Sequence, residues 1–242
     1  MSDAMRVALV TGAGHRVGRA LALGIARAGW RVAVHYNASG PQAAETVRLI
    51  ESAGGAAGAL GADLADPLAP ARLVRDVVAR FGRLDAVVNS ASIMEATPMG
   101  EVTAERWDAI MAINLRAPFL VAQEAARHLP EGGSIINIAD LAAFETWARF
   151  VAHGASKAGL VYLTRALASL LAPRIRVNGV APGTVLLPEW IDPATADRWA
   201  ATTPLRRHGT PDDVVKAVLY LLDAPYMTGE TIIVDGGRHV RR

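Results

Sequence analysis

Cysteine is absent from the 242 residues, which excludes disulfide bonds, thiol catalysis and thiolate metal sites. Histidine is sparse, with six in all. None stands in an HExxH-like spacing, so no bound metal is expected. Aromatic residues make up only 5% of the chain. The apolar stretches are interrupted by glycine, proline or charge before they reach the roughly 20 residues that a bilayer-spanning helix needs. The opening MSDAMRVALV passes straight into a strand-like run without the pattern of a secretory signal. No membrane contact is expected, and the cytoplasm is the expected compartment. Net charge is +2, and apart from the terminal RHVRR no Lys/Arg cluster with interleaved aromatics occurs, so no nucleic-acid partner is expected.

Lysine is the other scarcity. Of 25 basic residues only Lys157 and Lys216 are lysines, so arginine supplies ordinary positive charge in this chain. A lysine is then expected where a compact ammonium with a movable pKa is needed. Lys157 lies in FVAHGASKAGL (150–160), one helical turn after His153. Residues four apart share a helix face. The pair is therefore either a buried histidine with a lysine reaching for water or two functional groups aimed at one space.

What is abundant points to a folded α/β protein: 52% of residues are hydrophobic and 20% charged. Short β-branched runs alternate with Ala-rich stretches of helical period at 6–11, 31–36, 56–63, 85–91, 134–140, 174–181 and 231–237. Parallel strands need crossover connections, so this rhythm predicts a doubly wound seven-stranded parallel sheet with helices on both faces. No linker or repeat breaks it, and a single Rossmann-type domain over 1–242 is expected. In such a sheet ligands gather at the carboxyl ends of the strands.

The first strand runs into TGAGHRVG (11–18) and a helix expected to reach Ala28 before Gly29. Glycines there let the backbone approach a pyrophosphate, whose charge meets the amides of the helix N-terminus. The second strand ends in HYNAS (35–39) without the acid that holds the ribose hydroxyls of NAD. Arg16, Asn37 and Ser39 are available instead, which favours NADP(H). The helix dipole disfavours a cation at Arg16 unless an anion binds beside it.

Together, TGAGHRVG, the ADL at 62–64, NSAS at 89–92, MAINLRAP around Asn114, HGASK, RVNGVAPG and VDGG resemble the short-chain dehydrogenase/reductase family from about Met5 to Val240. Arginine in the glycine turn, HY at the second strand and IIN-x-x-D before the active helix look most like its pteridine reductase and dihydromonapterin (dihydrofolate) reductase branch. The resemblance implies that Gly12, His15, Arg16 and Val17 hold phosphates and that Asp63 and Leu64 lie at the adenine. It places Asn89, Ala91 and Ser92 along ribose and nicotinamide, with Gly183 and Thr184 closing over the nicotinamide amide. Asn114 would support a proton relay, and Lys157 would grip the nicotinamide ribose. Helix-internal bonding for Asn114 and helix capping for Asp63 are the plainer roles.

Two departures from the family pattern follow. His153 stands where the motif has the tyrosine of Tyr-x-x-x-Lys, and Tyr162 is half a turn out of phase with it. Asp140 stands where most members have a serine, as in the pteridine branch, while Met94 replaces that branch's stacking aromatic. An imidazolium, with a reference pKa near 6.5, can supply the proton that a reduced C=O or C=N requires. The charge of Lys157 disfavours the imidazolium and that of Asp140 favours it. The expectation is an NADPH-dependent oxidoreductase acting on a pteridine-like or small carbonyl substrate. Asp140 and His153 would be its proton donor, assisted by Asn114 and Lys157. The alternative is an NADP(H)-binding sensor or structural subunit on the same fold. A substrate lid is expected at about 184–205, with Trp147, Trp190 and Trp199 as flat apolar candidates, and the resemblance implies a homotetramer packed on helices in 104–129 and 154–172.

Overall fold

A computed structural model describes residues 5–187 and 191–240. Its seven parallel strands are β1 (Val7–Val10), β2 (Arg31–Tyr36), β3 (Ala56–Gly61), β4 (Ala86–Asn89), β5 (Gly133–Ile138), β6 (Ile175–Pro182) and β7 (Thr231–Val234). They form one sheet in the order β3-β2-β1-β4-β5-β6-β7. All seven expected strands are present, and most expected runs extend past their strand's end. The excess residues, such as Ser90 and Ala91 after β4 or Ala62 and Asp63 after β3, leave the ladder where the chain turns towards a helix.

Helices α1 (Arg16–Arg27), α2 (Gly40–Ser52), α3 (Ala69–Phe81), α4 (Ala104–Met111), α5 (Ala117–Ala125), α6 (Val151–Leu171), α7 (Pro193–Ala201) and α8 (Pro211–Asp223) complete the crossovers. The period-2 pattern of the strands feeds two cores. Ala8 and Val10 of β1 join Leu21 and Ile25 of α1 and Val214 and Val218 of α8. Val7 and Leu9 face the other way, onto Leu73 of α3, Val121 of α5 and Leu167 of α6. A sheet buried on both faces explains why its strands read as continuous apolar runs.

Local signals set the helix ends. Gly29, at φ 85°, follows α1, and Gly82, at φ 79°, ends α3. Thr210 and Asp213 form a capping box at the start of α8. Between α4 and α5 the helix continues but widens to a π-turn over Ala112–Arg116, which carries Asn114. Single π-turns of this kind are frequent at functional sites. Strand order reverses between β1 and β4, so the glycine turn and the NSAS segment flank the crevice of the switch point. Among the described residues no helix is long and apolar enough to cross a membrane.

Candidate active site

Ala13 and Gly14 are buried in the glycine turn, and its neighbours fix its shape. Thr11 Oγ1 accepts the amides of Ser90 and Ala91, tying the turn to the segment after β4. A Cβ at Gly12 would sit 2.8 Å from Ala91 Cα, and one at Gly18 would sit 2.1 Å from the Gly12 carbonyl oxygen. Only glycine permits these approaches. Arg19 donates to the Gly14 carbonyl at 2.8 Å, and Thr46 Oγ1 donates to Gln42 at 2.9 Å within the same cluster. Carbonyls drawn inward in this way leave the orphan amides at the N-terminus of α1 directed outward, which suits a pyrophosphate.

The expected phosphate residues fall on this turn with differing roles. His15 is the exposed N-cap of α1 and Val17 lies in its first turn. Arg16 is exposed and adopts φ 52°, a left-handed conformation that β-carbon-bearing residues rarely take. Its Nη2 donates to the Leu186 carbonyl at 3.4 Å, so the guanidinium reaches from the glycine turn to the loop after β6. The Gly12 amide donates to His35 Nδ1 at 3.1 Å. The Gly12 amide is therefore committed to His35, and its missing side chain serves the close approach of Ala91.

At the adenine end Asn37 and Asp63 are both exposed and their side chains lie 3.4 Å apart, with Asn37 donating. Asp63 also accepts the Ala65 amide, a turn rather than the helix cap that was its plainer role. Leu64 is buried in the core beside Leu73 and Val74. Ser39 stands at the N-cap of α2 without a capping bond from its side chain, and its hydroxyl would lie 2.8 Å from a Cβ at Gly14. The Asn89 amide turns inward, donating to Asn137, which donates to Thr164. Its side chain thus braces β4 against β5 and α6. Gly183 is also held by packing: a Cβ there would come 2.8 Å from Asp235 Cβ, while the carbonyl of Thr184 accepts the Gly209 amide.

The four expected catalytic residues converge at the carboxyl ends of β4 and β5. Asn114 is fully buried. Its Oδ1 accepts the Ile93 amide (2.9 Å) and the Ser92 hydroxyl (3.1 Å), and its Nδ2 donates to the Ile93 carbonyl (2.9 Å) and Ser156 Oγ (3.0 Å). The helix-internal role is overturned, because the π-turn sends the side chain across to the segment after β4. The same Nδ2 lies 3.4 Å from His153 Nδ1, which is also 3.2 Å from the Ile93 carbonyl. His153 Nε2 is buried without a hydrogen-bond partner, and Asp140 Oδ2 lies 3.7 Å away. Asp140 also caps a 3-10 turn through the Ala142 amide. Lys157 is buried on the same helix face and donates to the Ile138 carbonyl at 2.8 Å. Burial pushes its pKa down to about 8 against the opposing pull of the Asp140 carboxylate.

Met94 and Phe144 are exposed on the loops after β4 and β5. Trp147 is oriented by its own loop and the C-terminal segment: Glu145 accepts its indole N–H, and Arg238 lies over the ring at 5.5 Å. Trp199 is half-buried on α7, whereas Trp190 lies outside the described residues. Tyr162 is 74% exposed and faces away from His153, as its phase requires.

Sequence reasoning missed His35, Thr11, Arg19, Thr46 and Ser156. The available signal was a polar residue inside an otherwise apolar, doubly buried run, as in RVAVHY.

Comparison with known proteins defines the class. The family model described as enoyl-(acyl carrier protein) reductase, of the short-chain dehydrogenase type, matches residues 12–239. The chain belongs to the short-chain dehydrogenase/reductase family. An uncharacterized oxidoreductase of Methylorubrum extorquens is 38% identical, over 96% of this chain and 97% of that protein. The 3-oxoacyl-[acyl-carrier-protein] reductase FabG of Staphylococcus aureus is 33% identical, over 96% and 98%. The crystal structure of the angucycline C-6 ketoreductase LanV with bound NADP superposes with a TM-score of 0.91 at 33% identity, covering 98% of this chain and 96% of that one.

Proposed function

We propose that this protein is an NADPH-dependent reductase of a C=O or C=N bond, with Asp140 and His153 as its proton-donating pair. The observation that carries the reading is the buried, unpartnered His153 Nε2 lying 3.7 Å from the Asp140 carboxylate, on the helix that holds Lys157. The chemistry NADPH supplies when bound is hydride delivery to the electrophilic carbon.

The chain's residues handle the proton and the orientation. The Asp140 carboxylate faces His153 Nε2, and an Nδ1–H would donate to the Ile93 carbonyl, which fixes the ring. Lys157 offers an ammonium for ribose hydroxyls from a dry position. Arg16, His15 and Val17 would hold phosphates, with Asn37 and Ser39 near a 2′-phosphate. Of the expected lid at 184–205, residues 188–190 lie outside the described residues; its helix α7 would cover the substrate, since it has no buried residue of its own. Arginine in the glycine turn, HY at the end of β2 and Asp140 favour a pteridine-like substrate, while the ketoreductase names among relatives favour a carbonyl. Exposed Phe119, Tyr162 and Leu170 on α5 and α6 would pack against further copies in a cytoplasmic homotetramer.

A second reading, an NADP(H)-binding sensor without turnover, is favoured by the depth of His153, only 2% exposed. The experiment that separates them follows NADPH absorbance with pterins, quinones and aldehydes in the wild type, His153→Ala and His153→Tyr. Turnover in the wild type that is lost in His153→Ala supports the reductase. Turnover confined to His153→Tyr supports the sensor.

A further inference from the structure

His35 lies near the end of β2 and is 2% exposed, yet it takes no part in the proposed proton transfer. Two consecutive amides of the glycine turn end on this one residue: Gly12 donates to its ring Nδ1 at 3.1 Å, and Ala13 donates to its carbonyl at 2.9 Å. The other ring nitrogen, Nε2, lies 3.0 Å from the carbonyl of Ala62, the residue that precedes Asp63 and Leu64. An amide donor at Nδ1 and a carbonyl acceptor at Nε2 require the neutral ring with its hydrogen on Nε2. An imidazolium would set an N–H against the Gly12 N–H.

We infer that His35 is a positioning residue for the dinucleotide, fixing the glycine turn by accepting the Gly12 amide and joining it to the adenine end through Ala62. The inference rests on the cofactor reading above. Gly12 has φ 66° and bears no side chain that could anchor it, so its orientation depends on what its amide bonds to. With that amide and the Ala13 amide both held inward by His35, only the amides from Gly14 onward are left for the crevice. Burial pushes the ring down to about 4, so it stays a neutral acceptor at physiological pH. A hydrophobic residue would fill the same space and leave Gly12 without an acceptor.

The test uses full-length protein and NADP⁺ as titrant. Asn Oδ1 takes the place of Nδ1, so His35→Asn should bind within about threefold of wild type, whereas His35→Leu should bind about tenfold or more weakly. Exchange protection of the Gly12 amide in the ligand-free protein should fall in His35→Leu and return in His35→Asn. Equal affinity in wild type and His35→Leu would overturn the inference while leaving the cofactor reading intact. Wild type that binds no NADP⁺ would overturn both. If His35→Leu does not fold, the ¹⁵N resonances of the wild-type ring decide: hydrogen on Nε2 supports the inference, and hydrogen on Nδ1 overturns it.

Discussion

Asp140 Oδ2 and His153 Nε2 stand 3.7 Å apart although thirteen positions separate them in the chain, with the ring side chain 3% exposed and the carboxylate 24%. The pair is brought together by a 3-10 turn capped by Asp140 and by the start of α6. Their separation exceeds hydrogen-bond length, and a small loop movement can close it. Apo geometry of this kind often shortens when substrate arrives.

If the two residues act as one acid, Asp140→Asn and His153→Ala should each lower kcat by about 10²–10⁴-fold. The double variant should be no worse than the poorer single, since groups acting as a unit are not additive. In Asp140→Asn the side-chain carbonyl oxygen can still accept the Ala142 amide, so folding should be spared. Steady-state kinetics of both singles and the double, with circular dichroism, checks this. Additive losses would separate the two roles.

Lys157 should destabilise the fold it serves. Its pKa falls from 10.5 to about 8, equivalent to about 3 kcal/mol against the charged folded state. The penalty is full below pH 8, where both states carry the proton. It is relieved between 8 and 10.5, because there the folded state releases the proton first. Lys157→Met should therefore fold with little net change of stability at pH 7, the relieved penalty offsetting about 1.5–3 kcal/mol for the lost charged bond to Ile138, and should bind NADP⁺ far more weakly. Urea unfolding from pH 7 to 10.5 should show wild type gaining on the variant.

His35 should weaken the protein in acid. Its pKa is lowered from 6.5 to about 4 by burial. As pH falls from 6.5 to 4 the unfolded chain takes up a proton that the folded ring refuses, which costs about 3 kcal/mol. The slope of unfolding free energy against pH should flatten over that window in His35→Asn. Unchanged slopes would show that the ring charges freely in the native state.

Arg16 combines strain with ligand preference. A left-handed non-glycine residue costs about 1–2 kcal/mol, so Arg16→Gly should raise the ligand-free melting temperature. The same change should reduce the preference for NADP⁺ over NAD⁺ at least about tenfold, since charge-assisted hydrogen bonds contribute about 1.5–3 kcal/mol. Calorimetry with both cofactors measures this. Equal losses for the two would place the guanidinium away from the 2′-phosphate.

Asn114→Ala should be costly out of proportion to its size. Truncation leaves the Ile93 amide without its acceptor, while the Ile93 carbonyl keeps His153 Nδ1 at 3.2 Å and the Ser156 hydroxyl keeps the His153 carbonyl. An unsatisfied group of this kind costs about 1–3 kcal/mol, so a drop of that size in urea unfolding is expected, together with loss of activity. A drop under about 1 kcal/mol would mean that the π-turn relaxes around the gap.

The chain's own letters determined the architecture and the chemical inventory. Strand period, glycine punctuation and the scarcity of lysine depend on neighbours a few residues apart, so the seven strands and the pairing of His153 with Lys157 on one face were legible without coordinates. What sequence could not supply was the use made of each polar side chain. Asn89 turned inward to Asn137, Asn114 crossed to Ile93, and Arg16 reached the loop after β6, because those partners lie 21 to 170 residues away. The same holds for His35, whose ring meets Gly12 and Ala62 only after three strands align. A hydrogen bond acts over about 3 Å, and only the folded backbone decides which groups come within that reach.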